Sequence, residues 1–188
     1  MQVTSAVFIK SCPDPSSLPT DHRPAIACLG RSNVGKSSLI NSLTKQSGLS
    51  HVSSTPGRTT LVNVFLINKD WYLIDLPGYG YAKRSKDTRV EFEERIFQYL
   101  QSRPMLVLVI IDSAIGPTPL DEELLSFLDA EALSYVVIAN KIDRQSGNER
   151  RQTEKRLRER FPTIPVIYHS VKTEEGRTTI LETIDQTI

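Results

Sequence analysis

Residues 30–37 read Gly-Arg-Ser-Asn-Val-Gly-Lys-Ser, between the apolar run Ala25–Leu29 and a segment of helical character. A glycine, four residues, then Gly-Lys-Ser is a spacing that can surround a polyphosphate. Several negative charges can be met by backbone N–H groups only where the chain curls without side chains in the way, and Gly30 and Gly35 permit that curl. Arg31, Ser32, Asn33 and Val34 supply the main chain between them. Lys36 then reaches the β- and γ-phosphates, and Ser37 offers a hydroxyl to Mg²⁺. The helix that begins there points its unpaired N–H groups and positive dipole end at the anion. A glycine turn matching the pattern by accident is the competing reading.

Two later motifs weigh against accident. Asp75-Leu76-Pro77-Gly78 ends a strand, where the carboxylate can hold the Mg²⁺ shell through water and the Gly78 N–H can face the γ-phosphate. Asn140-Lys141-Ile142-Asp143 ends another and selects the base. Asp143, placed edge-on, accepts hydrogen bonds from guanine N1–H and N2–H₂. Adenine has neither donor and would leave a buried polar group unpaired. Asn140 and Lys141 brace the loop and cover the base plane. Each tetrapeptide alone is an ordinary strand-to-turn signal; their order after a phosphate loop gives them weight.

Strands and helices must bring these loops together. Residues 3–9 read as a short strand, and Pro13–Pro19 as a linker that continues neither sheet nor helix. A core strand over 25–29 leads into a helix from Lys36 with Leu39, Ile40 and Leu43 on one face, fading near Gly48. The polar stretch 46–58 reads as a long loop. Residues 61–67 and 71–76 flank Asn68-Lys69-Asp70 as an antiparallel hairpin. A helix over 88–101, a strand over 105–111, a helix opening at 117–121 and a strand over 135–139 follow. A charged helix over 148–161, a strand over 164–168 and a helix over 174–188 complete the alternation. The pattern predicts an α/β fold of three layers, a mostly parallel sheet with one antiparallel hairpin strand and helices on both faces.

With 188 residues, 39% of them hydrophobic, the chain suits one domain. We expect residues 1–24 to form an edge strand and linker packed on a nucleotide-binding domain of residues 25–188. Lys and Arg number 23 against 22 Asp and Glu, so any nucleic-acid surface must be local. Cys12 and Cys28 lack a metal-ligand spacing and suit a reducing compartment. No apolar run approaches the roughly 20 residues of a membrane helix, and the N-terminus has no signal-peptide pattern. These features favour the cytoplasm, or the corresponding space of an organelle, with no membrane engagement, and we expect a monomer.

The whole set resembles the translation-factor-related class of P-loop GTPases. Gly-Arg-Ser-Asn-Val-Gly-Lys-Ser-Ser-Leu-Ile-Asn, Thr55-Pro56-Gly57-Arg58-Thr59 and Asp-Leu-Pro-Gly-Tyr-Gly-Tyr-Ala make it similar to the EngB family over about residues 3–188. The resemblance implies GTP and GDP as ligands, Mg²⁺ as cofactor, and slow GTP hydrolysis in assembly of the large ribosomal subunit, with a role in septation. It implies a precursor large subunit, rRNA and ribosomal proteins, as partner. Thr59 becomes the switch threonine that joins Ser37 and Asp75 around Mg²⁺, with Thr60 as the alternative on spacing. Gly57, Arg58 and Leu61 flank it in the nucleotide loop. Lys36, Thr59 and Gly78 would act in catalysis. His169-Ser170-Val171 matches the guanine-side loop, with Val171 where a second serine is usual, so that only a backbone contact is retained there. Tyr79 stands where related proteins carry a water-orienting glutamine and cannot act in the same way. Asn33 either helps to bind K⁺ or shapes the loop.

Basic residues cluster at Lys83, Arg84 and Lys86 beside Tyr81, and at Arg144, Arg150, Arg151, Lys155, Arg156, Arg158 and Arg160. They can meet RNA phosphates. A solvated helix face with i, i+4 ion pairs is the competing reading of 144–160. A P-loop kinase, a septin-like structural GTPase and a GTPase acting on tRNA or at a membrane are the alternative functions. The guanine motif opposes the kinase, and the others carry flanking segments or domains beyond this core.

Overall fold

The computed structural model describes residues 1–50, 61–79, 94, 96–102 and 104–188. The strands are β1 (Ala6–Cys12), β2 (Ala25–Gly30), β3 (Val62–Ile67), β4 (Trp71–Asp75), β5 (Leu106–Asp112), β6 (Tyr135–Asn140) and β7 (Val166–His169). The helices are α1 (Lys36–Thr44), α2 with residues 96–101 described, α3 (Pro119–Ala130), α4 (Gly147–Arg160) and α5 (Arg177–Asp185). Among the described residues one seven-stranded sheet runs in the order β1-β3-β4-β2-β5-β6-β7. Of these strands β3 opposes its neighbours, β1 and β4, and the other neighbours, β4 with β2, β2 with β5, β5 with β6 and β6 with β7, are parallel. This is the three-layer α/β arrangement expected from the alternation of elements.

Period-two patterning divides the sheet between two cores. Ala27, Leu29, Val64, Ile74, Val107, Val109 and Val137 face α2, α3 and α4, meeting Leu100, Leu124, Leu128 and Leu157. Ile26, Cys28, Phe65, Leu73, Leu108, Ile110 and Ile138 face α1 and α5, meeting Leu39, Ile40, Leu43, Ile180 and Ile184. Strands buried on both faces, such as β5, therefore read as unbroken apolar runs.

The chain leaves β2 toward β3 and β4 on one side and toward β5–β7 on the other. The crevice at the carboxyl end of β2 is the topological switch point, where ligands of open α/β sheets bind. Four of the site motifs, all within the described residues, fall at a strand's carboxyl end: 30–37 after β2, 75–78 after β4, 140–143 after β6 and 169–171 after β7.

Several boundaries differ from the sequence expectation. β1 starts at Ala6 rather than at residue 3, because Asn68 Oδ1 already accepts from the Thr4 and Ser5 amides at 2.8 and 3.2 Å. α1 stops at Thr44 because Lys45 turns left-handed, with φ 53°, and donates its N–H back to Asn41 and Ser42. The Pro-rich linker contains a single 3-10 turn, Pro15–Ser17. Of the expected 88–101 helix, residue 94 and residues 96–101 are described and helical, and the rest lies outside the described residues. Among the described residues no helix is long and apolar enough to cross a membrane.

Candidate functional site

The phosphate loop is built as the glycine spacing requires. Gly35 has φ 98° and caps α1, and a Cβ there would lie 2.5 Å from Asn140 Nδ2. Any larger residue would therefore be strained twice, by backbone and by contact. Asn33 is also left-handed, with φ 68°. The loop is fastened to the base-side strand by two side chains. Asn140 Nδ2 donates to Val34 O at 2.8 Å, and Lys141 Nζ donates to Asn33 O at 2.6 Å and meets Asp112 Oδ2 at 2.8 Å.

Asp143 is exposed, and its Oδ1 accepts from the Ser170 hydroxyl at 2.7 Å. Ser170 Oγ in turn accepts from the Lys172 and Thr173 amides at 3.1 and 3.2 Å, which orients the hydroxyl before any ligand arrives. Gly35, Asn140, Lys141, Asp143 and Val171 line one cleft of about 260 Å³. The Asp143 carboxylate in its lining suits a base bearing two adjacent donors. Ile142 is buried and contributes main chain.

His169 lies underneath this cleft, fully buried. Its Nδ1 stands 2.8 Å from Asn140 Oδ1. Asn140 uses its amide N–H on Val34, so Oδ1 is the acceptor and His169 Nδ1 carries the proton. Burial lowers the His169 pKa to about 4, against the opposing charge of Asp143. The imidazole is therefore neutral at neutral pH and acts on the cleft through Asn140.

On the phosphate side Lys36 pairs with the Asp75 carboxylate, whose Oδ2 also accepts from Ser50 Oγ at 3.1 Å. Ser50 is held by a reciprocal pair of bonds with Asn41, 2.8 and 2.9 Å long. Gly78 packs directly on the phosphate loop, where an added Cβ would come within 3.2 Å of Ser32 N. Leu76 is fully buried beneath it. Ser37 and Asp75 are hard oxygen donors, and among the described residues no cluster of three His, Cys, Asp or Glu side chains forms a separate metal cage. One carboxylate and one hydroxyl in a glycine cradle fit Mg²⁺, which takes its remaining ligands from water and phosphate.

Gly57, Arg58, Thr59 and Thr60 lie outside the described residues, as do Tyr81, Lys83, Arg84 and Lys86; Leu61 is exposed. On α4 much of the basic charge is satisfied internally. Arg150 meets Glu154 and Glu175, Lys155 meets Glu159, and Arg160 meets Glu122. Arg156 reaches Ser113 O at 3.4 Å. Sequence reasoning did not find Asn41, Ser50, Asp112 or Asp121. Only Asp121 had a signal, the Thr118-x-x-Asp121 capping box.

Residues 25–141 match the model of the 50S ribosome-binding GTPase family. The chain is 45% identical over 161 residues to the probable GTP-binding protein EngB of Clostridium perfringens, covering 85% of this chain and 82% of that protein. The chain belongs to the EngB family. The probable GTP-binding protein EngB of Fusobacterium nucleatum is 40% identical over 190 residues, covering 99% of this chain and 98% of its own length. A crystal structure of a probable GTP-binding protein EngB superposes with a TM-score of 0.70 at 23% identity, over 87% of this chain and 97% of that one. EngB membership makes this chain a GTP-binding GTPase.

Proposed function

We propose that this GTPase is a switch in assembly of the large ribosomal subunit, binding a precursor particle in the GTP form and leaving it after hydrolysis. Normal septation would depend on it through that role. The supporting observation is the preassembled guanine cleft, in which Ser170 holds Asp143 opposite Gly35 of the phosphate loop. Family membership under the description 50S ribosome-binding GTPase supports the ribosomal partner.

In this reading Asp143 reads guanine, Asn140 and Lys141 fasten the base side to the phosphate loop, and Lys36 neutralises the β- and γ-phosphates. Ser37, Thr59 and, through water, Asp75 would hold Mg²⁺, which when bound would supply charge neutralisation at the terminal phosphoryl group. The Gly78 N–H donates to that group. Tyr79 is buried with its hydroxyl committed to Asp121 at 2.6 Å, so intrinsic turnover is slow and water is oriented by main-chain groups or the partner. The protein works as a cytoplasmic monomer, with residues 1–24 as an accessory edge to the 25–188 domain. Asn33 supports K⁺ binding in this scheme; equal turnover in K⁺ and Na⁺ buffers would leave it a loop-shaping residue, as its left-handed φ suits.

Two measurements test the proposal. Calorimetry on Asp143→Ala should show the preference for GDP over ADP reduced by on the order of a hundredfold, the loss of two hydrogen bonds to a charged acceptor. An unchanged preference sinks the base assignment. Sedimentation with purified large-subunit precursors should show association with a GTP analogue and not with GDP; association indifferent to nucleotide removes the assembly role.

A further inference from the structure

We propose that Asp121 is a positioning residue for terminal-phosphate sensing, holding Tyr79 and Arg31 on one buried carboxylate at the start of α3 and so fixing Gly78 against the phosphate loop. The inference rests on the reading of the Gly78 N–H as a donor to the terminal phosphate.

Asp121 is 0% exposed. Its Oδ1 accepts from the Tyr79 hydroxyl at 2.6 Å. Its Oδ2 accepts from Arg31 Nε at 3.1 Å and from Thr118 N and Oγ1, both at 2.7 Å. A helix cap explains the Thr118 bonds alone, and a cap needs no burial, since most such carboxylates stay in water. Burying a carboxylate is costly unless its lone pairs are filled, and here a phenol and a guanidinium fill them. Both come from site loops. Arg31 directly follows Gly30, and Tyr79 directly follows Gly78.

The main chain joins the same two points. Arg31 and Tyr79 form an isolated parallel bridge, and Ser32 N donates to Tyr79 O at 3.0 Å. Gly78 leaves so little room that an added Cβ would stand 3.2 and 3.3 Å from Ser32 N and Cα. A displacement of Tyr79 is therefore passed to the adjacent Gly78 amide and to the Ser32 amide of the phosphate loop. Burial, then the neighbouring Asp121 charge, pushes the Tyr79 phenol well above its ordinary pKa and keeps it a donor. Tyr79 and Asp121 together hold the terminal-phosphate donor at a set distance from the cradle.

Tyr79→Phe in the full chain removes one hydroxyl and leaves the α3 cap intact. Affinity for a non-hydrolysable GTP analogue should fall about tenfold while affinity for GDP stays within about twofold, the effect of one hydrogen bond to a charged group acting only on the terminal phosphate. Asp121→Asn should shift the ratio the same way, and the double variant should add nothing beyond the larger single effect. If Asp121→Asn does not fold, Tyr79→Phe decides. Equal weakening of both nucleotides, a lower Tm with the ratio unchanged, or additive effects would each overturn the inference. Gly78→Ala separates the two layers. A ratio unmoved by Gly78→Ala means that the Gly78 reading fails; a ratio moved by Gly78→Ala but not by Tyr79→Phe means that the Asp121 inference alone fails.

Discussion

The two ends of the nucleotide site are held by different kinds of bond. On the base side, Asn140 is tied to Val34 and His169, Lys141 to Asn33 and Asp112, and Asp143 to Ser170. None of these has to break for a base to enter, because the Asp143 carboxylate has lone pairs to spare. On the phosphate side, Lys36 and Asp75 are bonded to each other. On the proposed reading each exchanges that partner, lysine for a phosphate oxygen and carboxylate for the hydrated cation. On that reading the base side contributes the same affinity to GTP and GDP, and discrimination between them resides on the phosphate side. A site that must tell two states of one ligand apart is rigid where the ligand does not change and exchangeable where it does.

Breaking the exchangeable pair should give the largest effect. Asp75 is 2% exposed, so Lys36→Met leaves a buried carboxylate that still accepts from the Ser50 hydroxyl. The protein without nucleotide should lose about 3–5 kcal/mol in denaturant unfolding, the usual cost of stripping one member from a buried ion pair, and affinity for both nucleotides should fall. Lys141→Met is the base-side counterpart. Asp112 keeps the Ala114 N–H at 3.1 Å and partial access to water, so that loss should be clearly smaller. Equal losses at the two lysines would erase the contrast.

The base side has its own vulnerability in His169. Its folded pKa, about 4, lies below the ordinary histidine value, so the unfolded chain binds the proton more readily. The stability contributed by the neutral imidazole is complete above about pH 6.5 and is lost as pH falls toward 4, on the order of 3 kcal/mol in full. His169→Asn keeps an N–H for Asn140 and removes the titration. Unfolding free energies between pH 7 and 4.5 should fall more steeply for the native chain than for this variant. Parallel curves would mean that the ring is not buried in its neutral form.

Much of this was legible in the chain and some was not, for physical reasons. The two-sided burial of β5 and β6 shows as unbroken apolar runs, and the site motifs show because ligand chemistry restricts residue type at fixed spacing. The start of β1 was hidden because Asn68, more than 60 residues away in sequence, takes the amides of Thr4 and Ser5. Asp112 and Asp121 were invisible as site residues because their partners, Lys141, Arg31 and Tyr79, reach them only after the sheet is assembled. Ser50 sat in a polar stretch whose composition said loop and nothing about Asp75. The α4 charges were legible as a solvated face, while their ion pairs with Glu122 and Glu175 depend on tertiary contacts.

The finest test of the contrast is a single hydroxyl. Ser170→Ala removes the 2.7 Å bond to Asp143 and the acceptor for the Lys172 and Thr173 amides, without touching Lys36, Asp75 or Gly78. A freed Asp143 must then be ordered by the base itself. GDP and a GTP analogue should both bind about fivefold more weakly, roughly 1 kcal/mol for one hydrogen bond, with their ratio unchanged. Calorimetry of the two nucleotides side by side reads both numbers. A change in the ratio would show that the guanine side takes part in sensing the terminal phosphate, and no weakening at all would show that Asp143 is ordered without Ser170.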